Sequence, residues 1–442
     1  MLDHLDINPF LAVTIGVALL VPTLWLAWRQ PTIAFLVALA ALAVRPEAMF
    51  GGAEVGTEWG IQRTLLVLAL LVNALKYGIR LTINWPILAF AAVLILSSLL
   101  GELHPKLTFT SMLLGLVVLA LPWSFTQVVL APGSRRQYAM VIAIAPLISV
   151  AVGVLWQIAG LRPLLHHYDG YYRLQGAVGI PADLALLAFT GFAVTLHEAS
   201  RPRRAYAGYL LVANLVILIL TGTRTAIAAA AILALIYVWL SDDLRRSLQN
   251  HRRKVLAGAT VVAAVLLAYL PSLILRFLEG PSGWIALSGR EQLWPFYYQE
   301  FLFSPAFGRG LGAGFTAAVD WLRFALPTPH NEYLHLLVIG GISGFILCMT
   351  AIALWFRQLL QMASANDRTL IQAVLPALAL YAVTDNVITL PSILGLYVYF
   401  DVLLTRRATS SNRSRRRRRQ PRRTKRPTIE VLPPLLEDDH EP

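Results

Sequence analysis

Long apolar runs separated by short polar turns make up most of this chain. They lie near residues 10–28, 31–45, 61–76, 86–101, 107–122, 138–159, 182–197, 205–221, 223–240, 255–275, 332–356, 370–385 and 387–404. Many approach the roughly 17–25 residues that a helix needs to cross a bilayer. The 31–45 run is short enough to be re-entrant or to merge with its neighbour, so the pattern predicts an all-α polytopic membrane protein of about 12 transmembrane helices. Between residues 271 and 331 the apolar runs lapse. A stretch of that length in a compact protein is expected to carry structure of its own. Its Trp284, Trp294, Phe296, Tyr297, Tyr298, Phe301, Phe303 and Trp321 favour short helices lying on the membrane surface. They fit a lid over a substrate, and an interfacial aromatic belt equally well.

Composition strengthens the membrane assignment. Of 442 residues, 57% are apolar and 14% charged, with mean hydropathy +0.63, which excludes an array of soluble domains. Asp3, His4 and Asp6 stand where a signal peptide carries basic residues, so the first span is expected to be retained. Cys348 is the only cysteine, which excludes an intrachain disulfide. The net charge of +13 owes more than half to residues 405–442, where 12 Lys and Arg face 5 Asp and Glu. That tail lacks interleaved aromatics for stacking on bases, and its place beside the last span favours anionic lipid headgroups over nucleic acid.

Basic loops set the orientation, since Lys and Arg flanking spans stay on the cytoplasmic side. Arg135 and Arg136, then Arg201, Arg203 and Arg204, then Arg245 to Lys254, then Arg357 and Arg368 mark that side. Segments 160–182, 221–225, 271–331 and 385–391 then face outward.

Three outward arginines stand apart. Arg224 sits in the reversal Thr221-Gly222-Thr223-Arg224-Thr225 between two very apolar runs, where an ionisable group marks a polar cavity or snorkels to headgroups. Arg290 follows Ser288 and Gly289 and begins a helical pattern through Trp294; an anion site at the helix start and a surface pair with Glu291 are both open. Arg173 follows Tyr168-Asp169-Gly170-Tyr171-Tyr172. Together the three could supply the planar bidentate donors that suit a diphosphate.

Gly308-Arg309-Gly310-Leu311-Gly312-Ala313-Gly314 lacks the strand-turn-helix setting of a dinucleotide fingerprint. It fits a tight loop admitting phosphate or sugar to the backbone, or flexibility alone. In Pro329-His330-Asn331-Glu332-Tyr333-Leu334-His335, Asn331 is a suitable cap for a helix starting at Glu332. The imidazole of His330 then stands at a helix N-terminus, where the dipole favours the neutral ring that can accept a proton. Glu332 is expected to orient it or a second substrate, and Tyr333 to pack beside it. His166, His167 and His335 have no paired carboxylate spacing that makes a metal site. Asp385 and Asn386 are left as polar residues lining a cavity or capping a turn.

The run Gly308 to Phe315, the segment Pro329 to Leu334, Gly340-Gly341-Ile342-Ser343-Gly344 and the Thr221 to Arg224 turn together resemble the bacterial O-antigen ligase and polymerase superfamily. The resemblance spans roughly residues 170–400. It implies a glycosyltransferase of lipopolysaccharide biosynthesis in the bacterial inner membrane, with its active site facing the periplasm. The donor would be undecaprenyl-diphosphate-linked O-antigen and the acceptor lipid A-core, with no cofactor or metal. His330 would act as base, and Arg224 and Arg290 would bind diphosphate, while Arg173, Asn331, Glu332 and Tyr333 would contact substrate. An O-antigen polymerase or a protein O-oligosaccharyltransferase shares these motifs. A secondary transporter would need related repeats and ionisable groups at the midplane, whereas the charges here cluster at the outer face.

On this reading, residues 1–270 are transmembrane helices with short loops and 271–331 a periplasmic loop over the active site. Residues 332–404 are C-terminal transmembrane helices, and 405–442 a disordered Arg-rich cytoplasmic tail.

Overall fold

The computed structural model describes, with breaks, residues 25–45, 61–79, 84–100 and 116–403; the longest later breaks are 279–289 and 312–328. Most of the 10–28 and 107–122 runs, Ser288, Gly312 to Phe315, Trp284, Trp321 and the 405–442 tail lie outside the described residues.

Helices follow the apolar runs closely. They are α1 (Pro31–Ala41), α2 (Ile61–Tyr77), α3 (Trp85–Leu100), α4 (Arg135–Ile158), α5 (Pro181–Ala199), α6 (Ala205–Leu220), α7 (Arg224–Leu240), α8 (Asp242–Asn250) and α9 (Arg252–Leu278). After these come α10 (Arg290–Phe303), α11 (Glu332–Met362), α12 (Ala365–Ala382) and α13 (Pro391–Leu403), whose first turn is a 3-10 helix. Three of them, α4, α5 and α11, are long and apolar enough to cross a membrane unaided, and α7 with α8 passes the same test as a pair bent by 92°. Several others are shorter apolar helices. The chain is therefore a helical protein with membrane-spanning character, and a count of twelve reaches into residues outside those described. Gln62 Nε2, in the first turn of α2, donates to the carbonyls of Leu42 and Val44 just beyond α1 at 2.9 and 2.8 Å.

One element departs from the all-helical expectation. Leu165–Tyr168 (β1) and Tyr171–Leu174 (β2) form an antiparallel hairpin in the register Leu165↔Leu174, His166↔Arg173, His167↔Tyr172 and Tyr168↔Tyr171. The sequence between the two strands, Asp169-Gly170, is a dipeptide favoured in two-residue hairpin turns.

Helix α5 is the centre of the bundle: from Leu184 to Glu198 every residue is buried. It packs on α4, α6 and α7 and on the first turn of α13. Ala226, Ala229 and Ala230 give α7 a smooth buried face, and small residues of this kind let helices approach closely where lipid rather than water surrounds them.

Helix α11 is broken eight residues before Met349, at Gly341, where φ is 62° and ψ is −167°. The break takes the carbonyls of Val338 and Ile339 and the N–H groups of Ile342 and Ser343 out of the helical ladder. Residues 305–310 satisfy all four. Arg309 N donates to Val338 O (2.8 Å) and Gly310 N to Ile339 O (3.0 Å), while Ile342 N donates to Pro305 O (2.8 Å) and Ser343 N to Ala306 O (3.1 Å). Unpaired backbone in a membrane costs several kcal/mol per group, so a broken helix there needs such a partner.

Two glycines of the glycine-rich run, Gly308 and Gly310, serve this crossing. A Cβ at Gly308 would stand 2.5 Å from the backbone nitrogens of Gly340 and Gly341, and one at Gly310 would stand 2.5 Å from Ser98 Cα of α3. At these two positions the close approach is to protein backbone. Arg309 is paired with Glu300 and lies over the Phe303 ring.

Candidate active site

The segment leading into α11 holds His330 in an unusual conformation. Its φ is 47°, the one positive value at a non-glycine among the described residues. Asn331 caps the helix, its Oδ1 accepting from Leu334 N at 3.0 Å, so that the chain reverses abruptly at the imidazole. From the preceding residue, the Pro329 carbonyl accepts the indole N–H of Trp294 in α10 at 3.0 Å. Arg290 lies four residues before Trp294, one turn back on the same face of α10. The contact that positions the histidine segment therefore also aims the start of α10 toward it.

Beneath the imidazole lies Asp385, just beyond the end of α12. His330 Nδ1 is 3.3 Å from Asp385 Oδ1, and the same oxygen accepts from Asn386 N at 2.9 Å. The carboxylate is 6% exposed and the imidazole 26%, so the acid is shielded and the ring reaches solvent. Burial pushes the Asp385 carboxyl upward, but the His330 hydrogen bond and charge, the Arg290 charge and the Asn386 N–H outweigh it and hold it below the usual carboxylate range. An ionised Asp385 accepts the Nδ1 proton and fixes the tautomer with a lone pair on Nε2.

The other arginines stand on separate elements. Arg173, on β2, donates from Nε to Thr221 O at 2.8 Å and from Nη2 to Thr223 Oγ1 at 3.0 Å, bracing the reversal that presents Arg224 at the first position of α7. On the other side of that reversal, the Thr384 hydroxyl donates to Thr225 Oγ1, tying it to the residue before Asp385. Arg290 and Arg173 both lie within electrostatic reach of Tyr381, as do Asp183 and Asp385. Asp183, in the first turn of α5, is in turn within reach of His330 and pairs with Arg45 at 3.8 Å. His166, opposite Arg173, is pulled below the ordinary histidine range by burial and then by Arg173 and Arg162, which keeps the ring neutral beside them.

Glu332 and Tyr333 point elsewhere. It is Asp385, not Glu332, that lies against His330. Glu332 is 1% exposed; its Oε2 accepts from Ile388 N at 2.9 Å and its Oε1 is 3.7 Å from His335 Nδ1. The Tyr333 hydroxyl donates to Ala379 O at 2.9 Å, and its ring packs edge-on to Phe345. Both side chains line a mostly apolar cavity of about 160 Å³ with Phe90, Leu119, Leu336 and Tyr397. Among the described residues, no three His, Cys, Asp or Glu side chains come together as metal ligands.

Of the two acids beside these residues, the sequence marked Asp385 only as lining a cavity or capping a turn and did not single out Asp183. Asp385 lies 55 positions from its histidine partner and was visible only as a polar residue between apolar runs. Asp183 carried a usable signal, an acid following Pro181 at the head of an otherwise apolar helix, and such residues within membrane spans are functional by default.

Comparison with known proteins gives one result. Residues 209–349 match the family described as O-antigen ligase, a segment running from α6 through the Arg224 reversal, α10 and the His330 turn into α11. Neither the curated proteins nor the solved structures give a match. That likeness to the O-antigen ligase family covers about a third of the chain.

Proposed function

We propose that this protein is an O-antigen ligase, transferring polysaccharide from undecaprenyl diphosphate to a sugar hydroxyl of lipid A-core at the periplasmic face of the bacterial inner membrane. The observation that carries it is the contact of His330 Nδ1 with the shielded carboxylate of Asp385 at 3.3 Å, on a segment that also anchors the helix bearing Arg290. Asp385 holds the Nδ1 proton, so Nε2 takes the proton of the acceptor hydroxyl as its oxygen attacks the donor's anomeric carbon. The bond from that carbon to the diphosphate breaks, and the leaving group departs with the electron pair. Arg224 and Arg290, with Arg173 bracing the turn and facing the same space, bind the diphosphate and stabilise the charge that develops on it. Direct displacement inverts the anomeric centre and forms no covalent enzyme intermediate. In this scheme Asn331, Glu332 and Tyr333 act through the helix start that presents His330, with Glu332 and Tyr333 facing the apolar cavity.

The test is reconstitution of the full chain in lipid with purified lipid-linked donor and lipid A-core. Ligase activity releases undecaprenyl diphosphate and yields polysaccharide attached to the core. Lengthening of the lipid-linked chain with no transfer to core would instead identify a polymerase.

A further inference from the structure

At the end of the bundle opposite His330, five helices meet around a buried ionic network. Arg135, the first residue of α4, spends three N–H groups on three different helices. Its Nε donates to Glu198 Oε1 of α5 at 2.9 Å, its Nη1 to Asp367 Oδ1 of α12 at 3.1 Å, and its Nη2 to the Tyr399 hydroxyl of α13 at 2.7 Å. Tyr399 donates onward to Glu198 Oε1 at 2.6 Å. His197 of α5 closes the ring, with Nε2 3.0 Å from the same Asp367 oxygen and Nδ1 2.8 Å from the Tyr237 hydroxyl of α7. Arg201 adds a further bond to Asp367 Oδ1 at 2.8 Å. Arg135, His197, Glu198 and Asp367 are each less than one-tenth exposed.

A network of this kind is a poor source of stability, because desolvation offsets most of the attraction, and apolar side chains of similar size hold helix ends at least as well. What directional charge pairs add is register. Apolar faces such as the alanine stripe of α7 tolerate sliding, whereas three bonds from one planar guanidinium to three helices are met at one axial offset only.

The helices so fixed are the ones that reach the candidate active site. Helix α5 carries Asp183 at its other end, and α12 leads into Thr384 and Asp385. Asp367 and Asp385 are 18 residues apart, about 27 Å along a helix, and a slip of one residue moves a helix by about 1.5 Å. A slip of that size is enough to separate His330 Nδ1 from Asp385 Oδ1, now at the long end of hydrogen-bond range. Pro376 removes a ladder bond inside α12, which makes a fixed point at its Asp367 end more consequential.

We infer that Arg135 is a positioning residue: bonded to Glu198, Asp367 and Tyr399, it sets the relative register of α5, α12 and α13 and so holds Asp385 against His330 at the far end of the bundle. The inference rests on the functional reading of the His330–Asp385 pair. It is tested with the reconstituted full chain by a cycle of Arg135→Lys, Asp385→Asn and the double variant. Lysine keeps the charge but, as a single ammonium, does not span three partners. Arg135→Lys is expected to lower kcat about tenfold or more while donor KM changes less than about twofold, since substrate groups are untouched. The double variant should be no slower than Asp385→Asn alone, because both act through one contact. If Arg135→Lys does not fold, Tyr399→Phe removes one of the three bonds and is expected to show a smaller loss with the same non-additivity. Wild-type kcat in either folded variant, or losses that multiply in the double, overturns the positioning role while leaving the His330–Asp385 reading intact. Full activity of Asp385→Asn alone removes that reading, and the positioning role falls with it.

Discussion

At His330 a positive φ of 47° imposes a backbone cost of about 1–3 kcal/mol that the surroundings must offset. The Asn331 cap, the Trp294 bond to Pro329 and the Asp385 contact do so, and the result is an imidazole held in one orientation with one nitrogen engaged. Asp385→Asn keeps the shape but reverses the hydrogen bond, since the amide nitrogen donates where the carboxylate accepted, and His330 then carries its proton on the wrong nitrogen. Both Asp385→Asn and His330→Ala are expected to lower kcat by about 10²–10⁴-fold, measured as transfer by the reconstituted protein with donor at saturation. Acid stability gives an independent reading of the same carboxylate. Its folded value lies below the ordinary one, so its contribution is fully present above about pH 4 and is lost as pH falls through the folded value. Thermal unfolding in detergent should therefore show wild type losing stability on acidification below about pH 4 more steeply than Asp385→Asn; parallel curves would remove the proposed charge partnership.

Among the elements, the break in α11 makes the sharpest demand on sequence. Gly341 lies in a backbone region that is essentially restricted to glycine, and a Cβ there would meet Ala306 C, Phe307 N and Gly308 N at 2.5 Å. Gly341→Ala is expected to be destabilising by several kcal/mol, from about 1–3 kcal/mol of strain and the displacement of backbone that cannot step aside. Gly344, one turn further on, is the control: its nearest neighbours are Phe90 and Val93 side chains at 3.5–3.6 Å, so Gly344→Ala should melt within a degree or two of wild type. Equal losses in the two variants would mean that the 305–310 crossing does not hold the broken helix. The same region shows what is legible in a sequence. Asn331 as a cap, Arg290 as a helix start and the three-residue reversal at 221–223 are written in contiguous residues, because capping and turns are local. The Asp169-Gly170 dipeptide is an equally local signal, and it stands between the two strands of the hairpin. The pairing of Gly308 with Gly341, of His330 with Asp385 and of Arg135 with Asp367 depends on how helices 33 to 232 residues apart are offset, as their numbers show. A glycine or an acid marks that something is required there, and its partner is known only once the bundle is assembled.

For the whole molecule, everything proposed depends on which end faces which compartment. The two ends differ in kind: one gathers His330, Asp385 and the outward arginines, the other the Arg135 network and the basic turns that favour the cytoplasm. The chain is well suited to a direct determination, because Cys348 is its only cysteine and is buried, so the background for thiol labelling is low. Tyr172, on β2 beside Arg173, is 58% exposed, and the Asp242 side chain at the start of α8 is 69% exposed; neither lies among the groups placed in the reaction. A membrane-impermeant maleimide added to intact spheroplasts should label Tyr172→Cys and spare Asp242→Cys, and inside-out vesicles should reverse the result. The opposite pattern would put His330 in the cytoplasm, where a transfer completed at the periplasmic leaflet has no access to it. Labelling of both positions from one side would require an even number of crossings between residues 172 and 242, whereas the proposed topology has three, one each for α5, α6 and α7.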